Sequence, residues 1–147
     1  MNNINITKAL ANEISGLAIL FDAHRVFYGT EPSLIRSTQF IRERIEKSDS
    51  TLFIAKKNEK AVGFMQLYPM FSSVSMSKVL VLNDLFVEPS SRSKGIGEWL
   101  IKHALEFARL EGYTRITLST AKDNPAQKLY ERIGFSESAF KFYTFNL

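Results

Sequence analysis

The stretch from Asn83 to Gly97, N-D-L-F-V-E-P-S-S-R-S-K-G-I-G, limits what this chain can fold into more than any other. Its first half continues an apolar run, Lys78 to Val87, that reads as a buried strand. Pro89 ends that strand, because proline brings no N–H to a ladder. A loop, Ser90 to Lys94, leads to Gly95 and Gly97, where an amphipathic helix opens. Glycines let the backbone approach a ligand closely, and the first N–H groups of a helix have no intrahelical acceptor. Such a strand-to-helix turn suits a phosphate or pyrophosphate, with Arg92 and Lys94 as mobile cations beside it.

The stripe Ile96, Leu100, Ala104, Phe107 and Ala108 puts this helix on a sheet, with Glu98, Lys102, Glu106 and Arg109 outward. Gly112 closes the helix, and Arg115 to Thr120 alternates like a strand. Strand, loop, helix and strand thus predict a β-α-β crossover with parallel strands. Upstream, Ile4 to Ala9 reads as a short strand. Asn12 reads as an N-cap for a helix to Phe27 with Ile14, Leu17, Ala18 and Phe21 on one stripe. A second helix is expected from Ser33 to about Lys47, facing Phe40, Ile41 and Ile45 inward. Thr51 to Lys56 and Ala61 to Phe71 form a hairpin through Lys57-Asn58-Glu59-Lys60, and Ser72 to Ser77 turns into the Lys78 strand. Asp123-Asn124-Pro125 starts a last helix, with Asn124 as N-cap and Gln127 as its capping-box partner, and Gly134 closes it. Phe140 to Leu147, F-K-F-Y-T-F-N-L, is apolar in both alternating sets, which predicts a strand covered on both faces that completes the sheet or meets a second subunit.

A length of 147 residues suits one domain. The chain has no cysteine, which excludes disulfides, thiolate metal sites and any covalent cysteine intermediate. Its two histidines, His24 and His103, lie far apart and lack ligand-type neighbours, so no metal is expected. The net charge of +4 would permit nucleic-acid binding, but the basic residues are interleaved with acids, so an anionic small molecule is the better match. Neither a leader pattern nor a membrane-length apolar run is present, so the expected location is cytoplasmic, with no membrane partner.

With Arg92-x-x-Gly95-x-Gly97 and the later N-P-A-Q-K-L-Y-E-R-I-G-F, Asn124 to Phe135, the chain resembles the GCN5-related N-acetyltransferase (GNAT) family over nearly its whole length. The resemblance implies an α/β fold with a mixed, centrally splayed β-sheet flanked by helices on both faces, and acetyl-CoA as co-substrate. It places the cofactor along Leu85, Phe86 and Val87, on the turn Arg92, Ser93, Lys94, Gly95, Ile96 and Gly97, and against Asn124, Ala126 and Tyr130. It also implies that a splayed or bulged strand near Leu85 to Val87 frees an N–H for the acetyl carbonyl. Within the family, L-N-D-L-F-V and R-V-F-Y look most like the polyamine and small-amine branch. Relatives there often carry a glutamate directly before the strand aspartate, where this chain has Asn83.

The implied chemistry is direct attack by a primary amine of a small cationic metabolite within a ternary complex. The resemblance matches Tyr130 to the tyrosine that many relatives place near the sulfur, to protonate the departing thiolate or to hold the thioester. An alkyl ammonium must first lose a proton, because its pKa in water is about 10.4. Asp84 is the nearest carboxylate to the reactive strand; His24, Glu31 and a water chain are alternative bases. His24, Arg25, Tyr28, Glu31 and Asp84 form the expected amine pocket, with Asp22 and Glu88 as further acids nearby. A non-catalytic acyl-CoA-binding regulatory module and a protein or peptide acetyltransferase are the competing readings, and a homodimer is the expected assembly.

Overall fold

The computed structural model describes residues 3–147. Five strands form one sheet in the order β1-β2-β3-β4-β5: Ile4–Lys8, Thr51–Lys57, Lys60–Ser72, Ser77–Val87 and Ile116–Leu118. The first four are antiparallel in sequence order, whereas β4 and β5 are parallel. This is the predicted crossover, made through α3, Ile96–Leu110. The other helices are α1, Ile14–Phe27, α2, Leu34–Lys47, and α4, Ala126–Ile133.

Local chemistry accounts for most element ends. The β2–β3 turn places Asn58 and Glu59 at φ 49 and 70, the left-handed pair that a two-residue hairpin needs. Ser33 caps α2 by accepting from the Arg36 N–H at 3.4 Å. Before α1 the chain makes a 3-10 turn, Ala11–Glu13, so the helix starts later than the Asn12 cap implies. Asn124 holds the start of α4 by accepting the Ala126 N–H at 2.9 Å. Gln127 is no capping-box partner: its amide donates to the carbonyls of Ala121, Lys122 and Asn124, which folds the loop before the helix.

Two cores lie on opposite sides of the sheet. Leu17, Phe21 and Ile41 of α1 and α2 pack on Leu52, Ile54, Phe64 and Phe86. Ile96, Leu100, Ile101 and Ala104 of α3 pack on Phe53, Met65, Leu67, Leu80 and Leu82. Phe40, expected inside, is at the surface, stacked on Phe21 with centroids 5.3 Å apart.

Strand β4 changes face part-way along. Leu82 pairs with Leu67 and Asp84 pairs with Gln66, so Asn83 is an extra residue with no partner of its own on β3. In a regular strand Leu82 and Asp84, two residues apart, would share a face, because side chains alternate along a strand. The bulge sends Asp84 and Phe86 to the α1 side and leaves Leu82 on the α3 side.

The last expectation is corrected. Residues 136–147 form no strand, and Phe140, Phe142, Tyr143, Phe145 and Leu147 are all at least 85% exposed. A strand covered on both faces needs partners that a single copy of the chain does not supply. Among the described residues no helix is long and apolar enough to cross a membrane.

Candidate active site

The parallel pair β4–β5 stays together only from Leu80 to Leu82 on β4. Beyond Leu82 the strands part, and the edge of Asn83 to Val87 that faces away from β3 has no strand to pair with. A cleft of about 550 Å³ opens there, within the usual range for small-molecule sites. Its walls are β4, the turn after it, the start of α3, the end of β5, α4 and the end of α1.

One part of the cleft wall is the glycine turn. Gly95 is the N-cap of α3 at φ 83 and offers no side-chain acceptor, so the first-turn N–H groups stand open toward the cleft. A Cβ at Gly95 would meet nothing within 4 Å, so glycine is required there by its left-handed backbone and not by space. A Cβ at Gly97 would make an ordinary 3.6 Å contact with Leu129 of α4, so this glycine brings the two helices together. Ser93, at φ 63, is also left-handed, which helps turn successive N–H groups inward.

Arg92 is not the mobile cation expected from the sequence. Its Nε donates to the Val87 carbonyl at 2.7 Å, and its guanidinium lies 5.2 Å from the Phe86 ring centroid and 5.7 Å from that of Phe27. Glu88 braces the turn from outside, accepting from Ser91 Oγ at 2.9 Å. Glu98 would repel an anion at this helix start if it were unpaired. It accepts from Arg132 at 2.6 Å and pairs with Lys102 at 2.9 Å, and the Arg132 bond first, then Lys102, brings its carboxyl down to about 2.

Another part of the wall is made of side chains. His24 falls on the buried stripe of α1 that continues Leu17, Leu20 and Phe21, and its ring meets Phe64, Phe86 and Tyr28 edge-on. Its Nε2 lies 3.2 Å from Asp84 Oδ1, while its Nδ1 is buried with no partner among the described residues. Asp84 Oδ2 accepts from Gln66 Nε2 at 2.8 Å, and Gln66 Oε1 accepts from Ser50 Oγ at 2.8 Å. The Asn83 amide is 3.4 Å from each Asp84 oxygen. A single line of hydrogen bonds therefore runs Ser50, Gln66, Asp84, His24, through β3 and β4 to α1.

Tyr130, half-buried on α4, lines the cleft, and its hydroxyl makes no hydrogen bond among the described residues. Burial, then the nearby Tyr28, pushes its phenol upward, so it stays an O–H donor. Tyr68 beside Asp84 is likewise pushed up to about 12, by burial first and then by the Asp84 charge.

The structure brings together on the cleft wall His24, Tyr28, Leu85, Phe86, Val87, Arg92, Ser93, Gly95, Ile96, Gly97, Asn124, Ala126 and Tyr130. Asp84 stands directly behind His24. Lys94, Arg25 and Glu31 are not on that wall. Arg25 instead pairs with Asp22 at 3.0 Å and donates to the Glu31 carbonyl at 3.3 Å, and Asp22 also accepts from Ser37 and Ser33, which ties α1 to α2. Leu118, Ser119 and Thr120 at the end of β5 were missed, as was Gln66. Gln66 left a signal: it is the lone amide in the apolar run A-V-G-F-M-Q-L-Y of β3, and it is fully buried.

The sequence model of the Acetyltransferase (GNAT) family matches residues 17–135. An uncharacterized N-acetyltransferase of Bacillus subtilis strain 168, YhfO, is 39% identical over 98% of both chains. A crystal structure described as that of "a probable acetyltransferase" is 37% identical, covers 97% of each chain and superposes with a TM-score of 0.92. An aminoglycoside acetyltransferase from an uncultured soil metagenomic sample shares the fold, with a TM-score of 0.85 at 22% identity over 99% of this chain and 97% of that one. Members of the family use acetyl-CoA, and the open helix start and unpaired β4 edge fit a pyrophosphate and an extended amide-bearing arm. With the splayed sheet, the glycine turn and the matching relatives in agreement, the chain belongs to the GNAT family and is an acetyl-CoA-dependent N-acetyltransferase.

Proposed function

We propose that the acceptor is a primary amine of a small cationic metabolite, as in the polyamine and small-amine branch, and that it is acetylated by direct transfer in a ternary complex. The observation that carries this reading is the buried Asp84–His24 pair beside the cleft. Asp84 is bonded to an amide and an imidazole, with no Lys or Arg partner among the described residues. Its charge is therefore available to favour a cation, and the Tyr28 ring, edge-on to His24 in the same wall, offers an aromatic surface for one.

His24 is the base in this reading and Asp84 the positioning group. With the Nε2 proton directed to Asp84, the Nδ1 lone pair is left unpartnered, and a small turn of the His24 ring that opens this buried atom to the cleft lets it take a proton from the ammonium, as imidazole does in general acid–base catalysis. Leu85, Phe86 and Val87 line the bound acyl donor, and the N–H groups of Ile96 and Gly97 with Ser93 hold its pyrophosphate. Asn124 and Ala126 fix the start of α4, which sets Tyr130 in the wall, where its hydroxyl protonates the leaving thiolate. Acetyl-CoA supplies the activated thioester. Asn83 supports this division of labour, because its amide adds no second carboxylate beside Asp84 and its bulge aims Asp84 at His24.

A coupled thiol-release assay over polyamines, lysine-like amines and peptides tests the acceptor. Turnover is expected on small diamines and polyamines; turnover confined to peptides would replace this reading with a protein acetyltransferase. Double-reciprocal plots should intersect, and parallel lines would count against direct transfer.

A further inference from the structure

Gln66 and Ser50 are the members of the buried line that the chemistry above leaves unused. Gln66 is fully buried in β3, where its neighbours Phe64, Met65 and Leu67 are core residues. A buried primary amide is costly unless both its ends are hydrogen-bonded, and packing alone gives a core strand no use for one. Both ends are bonded here: Nε2 donates to Asp84 Oδ2 and Oε1 accepts from Ser50 Oγ, each at 2.8 Å. Register sets this pairing, because Gln66 stands opposite Asp84 in the β3–β4 ladder and the extra Asn83 is what brings the two into line.

Donor and acceptor counting fixes the direction of each bond. An amide can be turned over, exchanging its oxygen and its nitrogen. Turned over, Gln66 would set its carbonyl against a carboxylate oxygen, acceptor against acceptor. The Ser50 hydroxyl, donating to Oε1, opposes the same rotation from the other side. Asp84 therefore receives an N–H on Oδ2, and the Asn83 amide, 3.4 Å from each of its oxygens, also brings a donor. A carboxylate so surrounded has no proton to give, so across the 3.2 Å to Oδ1 it is His24 Nε2 that donates. A neutral imidazole has one N–H, which leaves Nδ1 bare. A lysine at position 66 would neutralise Asp84, and a glutamate would share its proton; the amide orients the carboxylate and leaves its charge alone.

We infer that Gln66, held by Ser50, is a positioning residue for the reaction: by donating to Asp84 it fixes the His24 proton on Nε2 and keeps Nδ1 free as the base. The inference rests on the proposed role of His24, but the place of that proton belongs to the resting protein and can be read without turnover. Few titratable or charged groups surround the pair. Asp84 faces His24 from β4, and Tyr28 meets the His24 ring from α1. Tyr68 of β3, beside Asp84, is pushed up to about 12 by burial and then by the Asp84 charge, so it stays a phenol at neutral pH. Beyond it Arg44 of α2 is paired with Asp49 at 2.9 Å.

Nitrogen NMR of the isotopically labelled full chain tests this, with His103→Gln to assign the other, exposed imidazole. At about pH 8, where an ordinary imidazole is neutral, His24 should show a protonated Nε2 and a bare Nδ1. Gln66→Met keeps the volume and removes the donor. It should give a mixture of the two tautomers, with kcat lowered about ten- to a hundredfold and the KM for acetyl-CoA unchanged. Ser50→Ala should move both readouts the same way by less. Gln66→Glu can stand in for the amide only while it carries a proton, so its kcat relative to the wild type should fall as pH rises. A wild-type ring protonated on Nδ1 would overturn the inference. So would a Gln66→Met protein that loses stability yet keeps the wild-type tautomer and kcat, since a merely structural amide would behave that way. His24→Ala tests the base separately: if its acidic limb survived, His24 would no longer be the base, while the spectra of the Gln66 variants would still decide what holds its proton.

Discussion

The glycine turn and the His24 pocket line one cleft and share β4, yet they are made of different material. The turn works through backbone: a left-handed Gly95, a left-handed Ser93 and open first-turn N–H groups. The pocket works through side chains from α1, β3, β4 and the residue before β2, whose order depends on one bulged residue. A backbone site tolerates many side-chain changes but few conformational ones. A hydrogen-bonded side-chain site behaves in the opposite way, because removing one member leaves a buried neighbour unsatisfied.

The largest effect is expected at His24. His24→Ala should lower kcat by about 10²- to 10⁴-fold, with the KM for acetyl-CoA little changed, and the acidic limb of the pH–rate profile should vanish. If only KM moved, the pocket would be a binding surface and the contrast between the two regions would collapse. Next comes Tyr130→Phe, which removes a hydroxyl and little volume. It should lower kcat about ten- to a thousandfold while calorimetric cofactor affinity holds, and unchanged turnover would remove Tyr130 from the chemistry.

Smaller effects test stability against binding. Gln66→Leu leaves Asp84 Oδ2 and Ser50 Oγ without their partner, so urea unfolding should show a loss of about 1–3 kcal/mol. Gly95→Ala meets no atom, so its cost is conformational, about 1–2 kcal/mol. That cost should appear partly as weaker cofactor binding, with kcat at saturation preserved. A loss of kcat instead would mean that the turn shapes the chemistry as well as the phosphate.

The smallest is at the α1–α2 corner, away from both regions. The Ser37 hydroxyl, more than the Ser33 N–H and Arg25, holds the Asp22 carboxyl below its usual range. A carboxyl lowered in the folded state adds stability above its unfolded pKa of about 3.9, and that stability is lost as pH falls through the lowered value. Ser37→Ala should cost about 1 kcal/mol at neutral pH, and its gap from the wild type should narrow as pH falls through the lowered value, as seen in thermal melts from pH 7 to 2.

Legibility in the sequence followed the range of the forces involved. The β2–β3 turn, the start of α2, the α3 stripe and the β4–α3–β5 crossover were readable because each rests on neighbours a few residues apart. His24 stood at the spacing of a buried stripe, after Leu17 and Phe21, which marks an inward-facing residue but does not name its partner. Arg25 looked like a substrate contact, with Asp22 as a nearby acid, because polar residues near a helix end read alike whether they bind a ligand or fasten a corner. Three elements had to meet before Asp22 could be seen fastening α1 to α2.

The amino-acid order alone determined the strand-to-helix turn from Val87 to Gly97, since proline, glycine and helix periodicity act locally. It also determined that the arm from Phe140 to Leu147 is apolar on both faces. Only the tertiary structure decided that Asn83 is an extra residue in β4, which turns Asp84 from the α3 side to the α1 side and sets it 3.2 Å from His24. Register is a property of a pair of strands, fixed by how β3 and β4 bury their opposite faces, and no single strand carries it.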